Sequence, residues 1–99
     1  MVESRFKLLI SEEAGDEIYD LYEFYEEVSS GLGDRYMDQL GNCLASLQEK
    51  PHQWQYANTA QEKNRRAILK SPQVVILYLV KNQDVEVLSE KEARSDWLK

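Results

Sequence analysis

The chain is 99 residues long, 42% hydrophobic and 30% charged, with a formal net charge of −6. That length suits one domain, residues 1–99, and the composition excludes a disordered or collagen-like chain. The longest apolar run, Val74–Val80, is too short to cross a bilayer as a helix. The N-terminus lacks the apolar block of a signal peptide, and a single cysteine, Cys43, excludes an internal disulfide, so a cytoplasmic protein without membrane contact is expected.

Charge is unevenly spread. Residues 1–30 carry nine acids and two bases, whereas residues 60–70 carry four bases and one acid. An acidic chain is repelled by nucleic acid unless positive charge is focused locally, so no direct DNA binding is expected.

In chain order, Phe6, Leu8 and Ile10 alternate with Lys7 and Leu9, the pattern of a short strand with one buried face. Ser11 follows as a helix N-cap, with Glu12 and Glu13 in the first turn where carboxylates suit the helix dipole. Ala14, Ile18, Leu21, Tyr25 and Val28 then recur every three or four residues, predicting a helix with one apolar stripe; its carboxylates are expected to form a solvated face. Residues 29–34, SSGLGD, read as a connector. A second helix runs to about Glu49, with Tyr36 or Met37, Leu40, Leu44 and Leu47 on its inner face, and Pro51 stops it. Two helices joined so closely form an antiparallel hairpin. Residues 51–63 read as a loop. Arg65–Lys70, Gln73–Lys81 and Val85–Ser89 read as strands joined by Ser71-Pro72 and by Asn82-Gln83-Asp84. The unbroken run Val74–Val80 suits a central strand covered on both faces. The expected class is therefore α+β: β-α-α-β-β-β, a helical hairpin packed on a mostly antiparallel four-stranded sheet.

That order resembles the RelE/ParE superfamily of type II toxin–antitoxin toxins over nearly the whole chain. The resemblance is carried by FKLLIS running into AGDEIYDLYEFYEE, by SSGLGDRYMDQL with its Arg35-Tyr36 pair, by LASLQEKPHQW, and by RRAILKSPQVVILYLVKNQDVEVLSEKEAR with its closing Arg94. The family often has Phe-Pro-Tyr where this chain has Ser71-Pro72-Gln73, and many members place a histidine after the last strand where this chain has Glu92 and Arg94. The resemblance implies a plasmid-stabilisation-like toxin with a cognate antitoxin as partner. In the ParE branch it implies a protein target, DNA gyrase; in the RelE branch it implies ribosome-dependent messenger-RNA cleavage. The missing histidine and the acidic balance favour the ParE branch and a non-catalytic role. A degenerate, non-toxic interaction module is the third reading.

RNA cleavage requires a base, an acid and cations around the phosphate. Arg65, Arg66 and Arg94 are the candidate catalytic cations, and together with Lys70, Tyr19 and Phe24 they are the candidate partner-binding residues. Alternation sends Arg65 and Arg66 to opposite faces of a strand, so they cannot line one phosphate site together. Their other readings, edge protection and pairing with an acidic partner, are preferred to RNA contact. Tyr78 reads as a core aromatic before an acid or base, Glu92 as a solvated charge, and His52 as an exposed loop residue. Tyr22 flanks the core stripe, while Tyr19 and Phe24 stand partly exposed among carboxylates, which suits an interface. Trp54 and Tyr56 are expected to cap the end of the sheet as core aromatics. Cys43 reads as a small buried residue. One histidine and one cysteine without ligand spacing indicate no metal, and the absence of a glycine-rich phosphate loop indicates no cofactor.

Overall fold

The computed structural model describes residues 5–56 and 64–92. Its elements are β1 (Lys7–Ile10), α1 (Glu12–Val28), α2 (Leu32–Glu49), β2 (Asn64–Lys70), β3 (Gln73–Lys81) and β4 (Asp84–Glu92). The sheet order is β1-β4-β3-β2, with β1 parallel to β4 and the other neighbours antiparallel. Among the described residues no helix is long and apolar enough to cross a membrane.

The helices form where the sequence signals them. The Ser11 hydroxyl accepts from the Ala14 amide and caps α1. α2 begins at Leu32, earlier than the SSGLGD segment suggested, because Gly31 takes the left-handed turn at φ 89°. With no side-chain cap of its own, α2 borrows one across the hairpin: Glu26 of α1 accepts from the Gly31 and Asp34 amides at 3.3 and 3.2 Å. A carboxylate there meets unsatisfied amides and the positive end of the helix dipole. Glu26 is thus a cap rather than part of a solvated face.

One core joins the layers. Ala14 and Tyr25 of α1 and Tyr36, Leu40, Leu44 and Leu47 of α2 bury against Ala67, Leu69, Val74, Ile76, Tyr78, Val85 and Val87 of the sheet. Of the two α2 alternatives, Tyr36 is the core residue and Met37 is exposed. Val28 and Ile10 are exposed at 60% and 43%, against the periodic reading, because one ends α1 and the other ends an edge strand.

β4 is longer than expected and changes phase along its length. Tyr78 pairs with Val87 but Leu77 pairs with Ser89, so Leu88 is an extra residue, a β-bulge. Before the bulge Val85 and Val87 face the helices; beyond it the parity flips and Glu90, opposite Ile76, faces them instead. β1 covers β4 only from Asp84 to Val87. Past that point side chains cover the edge: the Ser11 hydroxyl donates to the Leu88 carbonyl at 3.2 Å, and the Glu90 amide donates to Glu17 at 2.8 Å.

Candidate functional site

Each candidate side chain takes its direction from the ladder. Arg65 shares parity with core residues Ala67 and Leu69, so it projects toward the helix side of β2. There it meets residues 51–56, which leave α2 at Pro51 and run back along the β2 edge. Tyr56 bridges to Arg65, and the Arg66 amide donates to the Gln55 carbonyl at 3.1 Å. The Arg65 Nη1 donates to the Trp54 carbonyl at 2.6 Å and the His52 carbonyl at 3.4 Å, and its guanidinium lies 4.1 Å from the Tyr56 ring centroid. Tyr56 is 57% exposed and so does not cap the core as expected; Trp54 is partly buried and does pack on it. His52 is exposed, with its ring edge-on to Phe6 at 6.1 Å.

Arg66 points the other way. It pairs with Leu77, Ile68 with Val75, and Lys70 with Gln73. None of these residues belongs to the core under the helices. The helix-free face of the sheet therefore has an apolar centre of Ile68, Val75, Leu77 and Leu79, with Arg66 and Lys70 along its β2 side. Val75 is buried, Ile68, Leu77 and Leu79 are partly buried, Arg66 is half-buried and Lys70 is exposed. As alternation predicts, Arg65 and Arg66 do not line one site. Arg65 is on the opposite face, and Lys70 lies roughly 13 Å along the strand from Arg66 at ~3.3 Å per residue. Arg94 lies outside the described residues. Tyr19 and Phe24 are exposed on α1, at 61% and 42%. The Tyr19 hydroxyl donates to Glu23 at 2.8 Å, and that bond holds its pKa above the ordinary phenol value.

The titratable candidates sit inside the fold. Tyr78 is fully buried, and its hydroxyl donates to the Pro51 carbonyl at 2.6 Å. Burial pushes it up to about 12, although the nearby Arg65 pulls the other way. Cys43 is half-buried and raised to about 11, chiefly by desolvation, so it is a poor nucleophile. Glu92 is part-buried at the end of β4 rather than a solvated end charge.

Sequence reasoning missed Glu90. It is 1% exposed; the Tyr36 hydroxyl donates to its Oε1, and Oε2 has no partner among the described residues. Burial raises its pKa to about 7, the Tyr36 hydrogen bond opposes that, and Glu17 adds to it. Glu17 in turn pairs with Lys91 at 2.8 Å. Only the bulge at Leu88 reveals this position, and strict alternation would have placed Glu90 in solvent. Among the described residues no group of three or more His, Cys, Asp or Glu gathers as a metal site.

No family model matches the chain, and no curated relative matches it. Solved structures do. A chain of the chromosomal ParDE TA system from P. aeruginosa superposes with a TM-score of 0.78 at 13% identity, covering 93% of this chain and 100% of that one. A mutant of the E. coli toxin RelE in the free state gives 0.63 at 19% identity, covering 93% and 87%. A conserved hypothetical protein from Helicobacter pylori gives 0.51 at 18% identity, covering 87% and 92%. The chain has the fold of the RelE and ParE toxins.

Proposed function

We propose that this chain, built on the RelE/ParE toxin fold, is the toxin component of a type II toxin–antitoxin system. In this reading it acts by binding a protein target, DNA gyrase in the ParE manner, and is neutralised by a cognate antitoxin. The observation that carries the reading is the helix-free sheet face. Its centre is Ile68, Val75, Leu77 and Leu79, with Arg66 and Lys70 spaced along the β2 side and Lys81 at the end of β3. Apolar centres with polar rims suit protein partners. A phosphate-cleaving site instead needs cations and an acid–base pair converging on one point. Here Arg65 and Arg66 diverge, and the Tyr78 hydroxyl is buried under the helices with its pKa pushed to about 12.

Expression with and without the product of the adjacent reading frame tests this. Growth arrest relieved by that product, with supercoiling by purified gyrase inhibited and messenger RNA intact, is the expected result. Ribosome-dependent cleavage of messenger RNA in a reconstituted translation mixture would overturn it in favour of the endoribonuclease reading. Unimpaired growth would leave only a non-toxic interaction module.

A further inference from the structure

On the helix side of β2, away from the face proposed for the target, Arg65, Tyr56, His52 and Val80 line an open pocket of about 260 Å³. That is room for one side chain rather than an extended ligand. Its cation is unusually well prepared. Two backbone carbonyls hold Nη1, and the Tyr56 ring lies against the guanidinium plane. The group is half-buried. Carbonyls satisfy hydrogens without cancelling charge, and the described contacts of Arg65 are to carbonyls and to the Tyr56 ring. Among the described residues Arg65 therefore presents a partly desolvated positive charge that no carboxylate offsets, an arrangement that favours capture of an anion. Its guanidinium is planar, fixed and forked, which matches a carboxylate in a two-bond pairing.

We propose that this pocket is a carboxylate-binding site, taking one Asp, Glu or C-terminal carboxylate of a partner polypeptide onto the Nε and Nη2 donors of Arg65. Tyr56 and Val80 flank the apolar stem of that residue. A phosphate is the poorer fit: it carries more charge, Arg66 projects from the opposite face, and the chain's net charge of −6 repels a polyanion. The site does not depend on the identity of the toxin's target, because it lies on the other side of the sheet.

The test is a nuclear magnetic resonance titration of the full chain with acetyl-Glu-amide and, separately, with inorganic phosphate. Acetyl-Glu-amide should shift the Arg65 Nε–H, Tyr56 and His52 resonances saturably in the millimolar range. Arg65→Lys should weaken this about tenfold by losing the fork while keeping the charge. Tyr56→Leu, at an exposed position outside the core, should weaken it a few-fold, and Arg66→Ala should change it less than twofold. Arg65→Ala is a poorer probe because it also releases the carbonyls of Trp54 and His52. The proposal is overturned if no saturable shift occurs at the pocket, if phosphate binds more tightly than the carboxylate, or if Arg66→Ala weakens binding as much as Arg65→Lys. None of these outcomes bears on gyrase inhibition, so the two readings fail separately.

Discussion

At the scale of single residues, Glu90 and Gly33 are the positions where substitution should tell most. Desolvation raises the Glu90 carboxyl from 4.5 to about 7. The folded chain therefore holds that proton more tightly than the unfolded chain. Its stabilisation is fully present below pH 4.5 and is lost as pH rises through about 7, a total of about 3 kcal/mol at 1.36 kcal/mol per unit. Urea midpoints of the wild type should fall between pH 5 and pH 8, and Glu90→Gln should flatten that slope. A slope that survives Glu90→Gln would assign it to another group. Gly33 lies where α2 crosses α1: an added Cβ would stand 2.6 Å from Glu26 Cγ and 2.7 Å from the Tyr22 carbonyl oxygen. The side chain could move aside but the backbone oxygen cannot. Gly33→Ala should therefore lower stability by about 1–3 kcal/mol, seen as a lower melting temperature.

At the scale of elements, two acids of α1 hold neighbours in place. Glu26 caps α2, and Glu26→Ala should cost about 1 kcal/mol by orphaning amides at the start of that helix. Glu17 covers the bare edge of β4 beyond the last β1 pair and anchors Lys91. Glu17→Ala should accelerate hydrogen exchange at the Glu90 amide well before it affects β3, since local opening of an edge needs less than global unfolding. Both residues looked like solvated charge in the sequence. Helical spacing shows which face of α1 is polar, but it carries no information about which polar groups a neighbouring element will bring within 3 Å. The strands were legible in β3, whose apolar run is long. They were less so in β4, where a bulge shifted the inward set by one residue and hid a buried acid.

At the scale of the whole molecule, the two layers leave two distinct cationic environments, one on each side of β2. Charge reversal of Arg66 and Lys70 together should weaken partner binding about tenfold or more in a pull-down or titration. The melting point should hold, because neither side chain belongs to the core. Equal binding by the double variant would remove the helix-free face from the interface. The same change should leave the Arg65 pocket intact, because alternation separates the two sites.

The sequence by itself determined the element order, the helical hairpin, its inner stripe and the divergence of Arg65 from Arg66, because these follow from local periodicity and from the two-residue repeat of a strand. Tertiary structure alone decided that β1 joins β4 in parallel and that Glu90 is buried against Tyr36. It also decided that Arg65 is clamped by a returning loop and that Tyr56 stands outside the core. Each of these depends on contacts between residues far apart in the chain, where register, bulges and shared hydrogen bonds are set by the packing of whole elements and leave no periodic trace in the residues involved.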